Sequence, residues 1–116
     1  MSLFDAGRDI LATIAEAAAE EIVFRASDGI ETTLRARIGK KLFKVADNSG
    51  IEYSVAARRF IVHLEDLPHT PINGEAIIWN NTRYKLGCPD GGPPWRWHGN
   101  DGKDIAIYTL EFGEEL

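Results

Sequence analysis

Histidine and cysteine are the residue types that most often carry catalysis or bind metals, and this chain has few of them. It contains the histidines His63, His69 and His98 and a single cysteine, Cys88. Zinc sites use close spacings such as CxxC, HxH or HExxH, and none of these occurs here. We therefore predict no metal site, and we expect the histidines to be ordinary surface or loop residues.

Cys88 is the only residue that offers a nucleophilic thiol. Paired with a distant histidine it would act as a thiol nucleophile. Its neighbours Gly87 and Pro89 predict a loop, however, and not the helix N-terminus that would lower the pKa of the thiol. An enzyme that uses Cys88 and a histidine stays an alternative hypothesis, and it predicts thiol-dependent activity that Cys88→Ser abolishes.

Two further patterns resemble catalytic motifs only superficially. Glu65 and Asp66 are adjacent, so in an extended chain they point to opposite sides, and paired-carboxylate catalysis has no geometric support. Residues 38–41 (Ile-Gly-Lys-Lys) lack the GxxxxGK[ST] pattern of a phosphate loop, and no helix is predicted after them. We interpret the first pair as a solvated strand end and the second as a basic turn. The sequence thus predicts no catalytic constellation and no cofactor.

Trp95 and Trp97 flank Arg96, so in an extended chain the two indoles share one face. The favoured interpretation is that they cap a small core beneath a loop. A partner-binding hot spot is the alternative, since Trp and Arg are enriched in hot spots. Stacking on single-stranded nucleic acid is less favoured, because basic residues are not concentrated around these positions. Other aromatic residues that we place in the same cluster are Trp79, Tyr84 and Tyr108.

The stretch from residue 58 to residue 86 predicts three strands and two turns. Phe60, Val62 and Leu64 alternate with Ile61, His63 and Glu65, which is typical of a strand, and Pro68 ends it. Residues 71–75 form a turn around Asn73-Gly74, residues 76–79 a strand, and Asn80-Asn81 a two-residue turn that leads into a strand over residues 82–86.

Further strands are predicted on both sides of this stretch. Before it, strands over residues 22–26, 30–38 and 42–46 are separated by turns at 27–29, 39–40 and 47–50, and residues 51–55 alternate weakly. After it, residues 87–103 form a loop rich in Gly and Pro. The last strand, residues 104–112, is apolar on both faces, which predicts a central strand or a subunit contact.

Residues 2–20 carry the only convincing helix pattern. Apolar and small residues at helical spacing give one modest stripe, and several alanines raise the helix propensity. We expect this helix to pack on its own domain or to reach a neighbouring subunit.

The totals fit one small domain. The chain has 116 residues, 44% hydrophobic and 27% charged, and we divide it into an N-terminal helix (1–20) and a single β domain (21–116). The predicted fold is mainly β (α+β), a small barrel or sandwich of about six to eight short strands. The net charge of -5 argues against a surface that grips phosphates. One cysteine, no membrane-length apolar run and no signal peptide predict a cytoplasmic protein, or one assembled there.

The order of structural motifs resembles the small head–tail joining proteins of tailed bacteriophages, the lambda-type tail attachment (head completion) group. The resemblance covers nearly the whole sequence, and its motifs are structural. They are, in chain order, Phe4-Asp5 in a short helix, a hairpin around Asp28-Gly29, a strand that ends in Asp66-Leu67-Pro68, Pro71-x-x-Gly74-Glu75, Ile77, Tyr84-Lys85-Leu86 and an apolar strand over residues 105–110.

This resemblance implies a non-enzymatic ring at the neck of the virion, between the portal or connector and the tail proteins, assembled in the cytoplasm of the bacterial host. It implies self-association that is weak until the connector is present, and DNA that passes through without specific binding. It implies no membrane contact. The alternative is a bacterial SH3-like or OB-like barrel adaptor, a stable monomer with an aromatic patch. The candidate partner interface comprises Leu3, Phe4, Ile10, Ile14, Trp95, Arg96, Trp97 and Tyr108.

Overall fold

Eight antiparallel strands in one sheet make up nearly all of the regular structure in the computed structural model, which describes residues 19–116. A single 3-10 turn, Leu64–Asp66, follows the third strand. The mainly β prediction is confirmed. The strands are β1 (Ala19–Arg25), β2 (Glu31–Ala46), β3 (Glu52–His63), β4 (Ala76–Trp79), β5 (Thr82–Lys85), β6 (Trp95–His98), β7 (Asp104–Leu110) and β8 (Glu114–Glu115).

The strand order is β6-β7-β3-β2-β1-β4-β5-β8, and the sheet is open. It curls until the end of β5 reaches β7, where Leu86 and Thr109 form an isolated bridge and Gly87 N–H donates to the Tyr108 carbonyl at 3.0 Å. The sheet therefore does not close into the predicted small barrel, although the number of strands matches. Contact between β5 and β7 stops at this point because β6 pairs with the rest of this edge of β7, starting where Tyr108 N–H donates to the Pro94 carbonyl.

β2 and β3 are longer than the sequence patterns predict. β2 runs unbroken for 16 residues, so the turn predicted at Gly39-Lys40 is wrong. Gly39 pairs with Arg59 and Lys40 with Arg58, inside a continuous ladder between the two strands. These long-range backbone bonds outweigh the weak strand preference of glycine. The weakly alternating residues 51–55 likewise belong mostly to β3.

The turns around β4 follow the predicted chemistry. Asn80 and Asn81 have φ angles of 52° and 61°, the left-handed values that a two-residue hairpin turn needs. Gly74, at φ 95°, occupies a position that disfavours any side chain. The predicted strand over 76–79 matches β4, and Leu86 extends β5 by the bridge to Thr109.

The two ends of the described chain differ from expectation. Ala19 and Glu20 belong to β1, and the rest of the predicted N-terminal helix lies outside the described residues. The predicted loop 87–103 contains β6, and the last predicted strand ends at Leu110, before β8.

The core lies on both faces of β7, as its sequence predicts for a central strand, since β7 lies between β3 and β6. Ile105 and Ile107 pack into the main cluster on the concave side, around Phe24, Phe60 and Ile77. Burial of each such side chain stabilises the fold by about 1.5–3 kcal/mol. On the opposite face a smaller cluster consists of Phe43, Ala57, Ala106 and Tyr108.

Candidate partner-binding surfaces

β6 places Trp95 and Trp97 on one face, as their spacing predicts. Their ring centroids are 5.4 Å apart and their planes are nearly perpendicular. Trp95 packs against the main core cluster, whereas 54% of Trp97 is exposed. One indole therefore caps the core, and the other is available at the surface.

Arg96 points to the opposite face of β6 and holds the preceding loop. Its guanidinium lies 5.3 Å from the Phe43 ring centroid and 5.8 Å from that of Tyr108. It donates a hydrogen bond to the Asp90 carboxylate, and this bond is the main reason why the pKa of Arg96 is raised. Tyr108 is only 3% exposed. Both residues thus contribute to packing on this face of the sheet.

Cys88 lies in the same loop, half-buried beside Arg96. Burial is the main cause that raises the pKa of its thiol, followed by its hydrogen bond with Asp90. A raised pKa disfavours the thiolate, which is the nucleophilic form. Within residues 19–116 no hydrogen bond joins Cys88 to a histidine. The geometry gives the thiol-enzyme alternative no support.

Two of the histidines pair with carboxylates. His63 Nδ1 lies 2.5 Å from Asp104 Oδ1 at the surface, and His69 Nε2 lies 2.5 Å from Glu75 Oε2. Within the described part of the chain, no group of three or more His, Cys, Asp or Glu side chains is arranged to hold a metal ion.

Glu75 explains the Pro71-x-x-Gly74-Glu75 motif in physical terms. Its carboxylate is fully buried and accepts the Ile72 N–H at 2.8 Å, while its second oxygen meets His69. The His69 ring packs on Phe24 in a T-shaped arrangement, with centroids 5.6 Å apart. Pro71 is also buried. The motif is therefore a self-contained turn that ties residues 69–75 to the core.

A cleft of about 810 Å³ opens where the ends of β2 and β3 separate, beside Ala19. Arg35, Arg37 and the His63–Asp104 pair lie along it. Arg35 also donates a hydrogen bond to the Ala19 carbonyl at 2.6 Å. The cleft adjoins the point where the described chain begins.

A second exposed apolar group surrounds β8, and the sequence patterns did not single it out. Phe112 is 81% exposed and Leu116 63%. Gly113 lies between these two residues in the chain, and a glycine followed by two glutamates was the available signal that the strand does not continue past Phe112. With Trp97, these residues give both ends of the open sheet an exposed apolar side chain.

The other predicted interface residues, Leu3, Phe4, Ile10 and Ile14, lie outside the described residues. Across residues 19–116, no helix has the length and apolar character required to cross a membrane.

Comparison with protein families gives one clear result. The family model described as phage head-tail joining protein matches residues 1–116. A search of curated proteins finds no match. The family match agrees with the resemblance in motif order and with a mainly β structure. Because the match covers all 116 residues, the chain belongs to the phage head-tail joining protein family.

Proposed function

We propose that this protein is a non-enzymatic neck component that forms a ring between the portal or connector of the filled phage head and the tail. The observation that carries the proposal is the family match over residues 1–116, which supports a structural component of the virion neck. The proposal goes beyond the family match in three respects: the ring, the identity of its two neighbours and the absence of enzymatic activity.

The geometry of the described residues agrees with a protein that works by binding other proteins. The reactive side chains have structural partners. Cys88 accepts a hydrogen bond from Arg96, and the Glu75 carboxylate accepts one from the Ile72 N–H. Exposed apolar side chains include Trp97 and Phe112 near the two ends of the sheet, and Leu42, Ile51 and Tyr53 on the β2–β3 hairpin. Exposed apolar surface of this kind marks sites of protein association.

Deletion of the gene in the phage tests the proposal. We expect infected cells to accumulate DNA-filled heads and complete tails that remain separate in electron micrographs. Antibody against the protein should label the neck of wild-type virions. Joined particles from the deletion phage, or antibody label on the head shell or tail tube alone, would show that the protein acts elsewhere.

A further inference from the structure

We propose that β6 of one protomer pairs with β8 of the next copy, so that the sheet continues from subunit to subunit around the ring. This inference rests on the proposed ring-forming function and names the surfaces that make the ring. β6 and β8 are the two end strands of the open sheet. Among residues 19–116, no strand pairs with the outer side of either one.

The ladder geometry shows which backbone groups face outward from β6. Tyr108 N–H donates to the Pro94 carbonyl at 2.7 Å, and the register pairs Trp95 with Ile107 and Trp97 with Ile105. In an antiparallel ladder, hydrogen-bonded and non-hydrogen-bonded pairs alternate. The N–H and C=O groups of Trp95 and Trp97 therefore point away from β7, toward the free edge.

The same alternation applies to β8. Leu116 N–H donates to the Asn81 carbonyl at 3.2 Å, and Glu115 pairs with Thr82. The backbone groups of Gly113 and Glu115 therefore point away from β5. Each end of the sheet thus presents the backbone groups of two residues at a spacing of two, which is the arrangement that another strand can pair with.

Charge disfavours the pairing of β8 with a second β8. β8 consists of Glu114 and Glu115, so pairing β8 with a second β8 would place glutamates opposite glutamates, which is destabilising. β6 carries Arg96 and His98. Within the protomer Arg96 bonds to Asp90, and Glu114 lies 2.5 Å from Arg83, so His98 and Glu115 are the side chains left to face a neighbour. They lie opposite each other on one face of the sheet when β6 and β8 run parallel, with the backbone of Trp97 bonded to Gly113 and Glu115.

Apolar area adds to this pairing. Trp97 adjoins one edge and Phe112 the other, at 54% and 81% exposure, and edge pairing would cover both. A contact between two different surfaces repeats from copy to copy, and it forms a ring where the rotation closes. The curled, open sheet would then be one segment of a continuous intersubunit sheet.

Proline at the two outward positions tests the pairing, because it removes an edge N–H that has no partner inside the protomer. The variants are Trp97→Pro and Glu115→Pro, with Trp97→Thr and Glu115→Thr as controls that change the side chain but keep the N–H. Sedimentation velocity of the full chain over rising concentration gives the oligomeric state. We expect wild type to form species larger than a dimer, the threonine controls to associate more weakly, and each proline variant to stay monomeric.

Mixing the two proline variants gives the sharpest result. Each keeps one competent edge, and these edges are complementary, so an equimolar mixture should form a heterodimer and nothing larger. Dimers of Glu115→Pro alone would indicate pairing of β6 with β6 and overturn the proposal. Wild type that is monomeric at all concentrations, or proline variants that associate like wild type, would overturn it too.

A second pair of variants avoids proline in case it prevents folding. His98→Glu and Glu115→Lys should each raise the dissociation constant about two- to fivefold, and the double variant should restore it. An assay of head-to-tail joining distinguishes a failure of this inference from a failure of the proposed function on which it rests. If wild type joins them and Trp97→Pro joins them equally well, the function stands and the pairing is wrong; if wild type fails to join them, the function is wrong.

Discussion

At the scale of single residues, Glu75 shows how one buried carboxylate holds a turn in place. It accepts the Ile72 N–H and meets His69, whose ring packs on Phe24. A buried charge is stable only when its hydrogen-bonding capacity is met. The turn before β4 therefore depends on this side chain far more than on the exposed residues around it.

Replacing Glu75 tests this dependence. Glu75→Ala leaves the Ile72 N–H without its acceptor and His69 without its partner, so we expect a loss of about 2–3 kcal/mol in the free energy of unfolding. Urea denaturation followed by tryptophan fluorescence measures it. The matched control is Glu65→Ala, at an exposed carboxylate, which should change stability little. Equal effects of the two substitutions would contradict the structural role of Glu75.

The lowered pKa of Asp90 leads to a second prediction for a single residue, on how the stability of the fold depends on pH. A hydrogen bond with Cys88, then bonds from the Gly92 N–H and Arg96, lower the pKa of Asp90 to about 2. A carboxyl whose pKa is lower in the folded state stabilises the fold above its unfolded value of 3.8, and this contribution is lost as pH falls through 2.

Asp90→Asn should therefore be less stable than wild type at pH 5 to 7, and the difference should shrink as pH falls from 4 to 2. Urea midpoints across this range measure it, with the exposed Asp66→Asn as control. A difference that stays constant down to pH 2 would mean that the Asp90 charge does not hold the loop.

At the scale of elements, β8 depends on a close approach to β5 that only glycine allows. A Cβ at Gly113 would lie 2.5 Å from the Thr82 Cγ2 atom and 2.6 Å from the Arg83 carbonyl oxygen. Both distances are far below normal contact, and one partner is backbone, so the strand itself would have to move.

Gly113→Ala should displace β8 and break its pairing with β5. We expect faster hydrogen exchange of the Leu116 amide, which donates to Asn81 in the wild type, with little change in β3 and β7. Gly87→Ala is the matched control, because a Cβ there meets no atom within 4 Å. Unchanged exchange at Leu116 in Gly113→Ala would show that β8 tolerates the added methyl group.

Local chemistry made several elements predictable and left others hidden. The Asn80-Asn81 turn and the doubly buried β7 follow from residue type and pattern alone. β2 was predicted as two strands, because continuity through Gly39 depends on pairing with the distant Arg58 and Arg59. β6 lies within a loop rich in Gly and Pro, and it is a strand because it pairs with β7. Long-range pairing of this kind leaves little trace in local sequence.

The candidate partner-binding surface was also predictable only in part. The spacing of Trp95 and Trp97 places them on one face, but only the position of β6 at the sheet edge decides which indole is buried. The exposure of Phe112 depends on β8, which is too short to give a periodic signal.

At the scale of the whole molecule, the acidic balance bears on how the neck handles DNA. A net charge of -5 repels phosphates, so a ring of these subunits would let DNA pass without adhering. We expect no shift of duplex DNA by about 10 µM protein at about 150 mM salt in a gel mobility assay, because tight non-specific binding requires many Lys or Arg contacts. Saturable binding at low micromolar protein, or an assembled ring with its acids on the outer rim, would contradict this account.

The central claim is that this protein joins the phage head to its tail, and reconstitution tests it most directly. Filled heads and free tails from the deletion phage are mixed with the purified full chain, and plaque-forming particles are counted. We expect infectivity to rise by several orders of magnitude over the mixture without protein, in proportion to the protein added until heads are saturated. Heads and tails that join equally well without it, or that remain separate at every protein concentration, would contradict the claim.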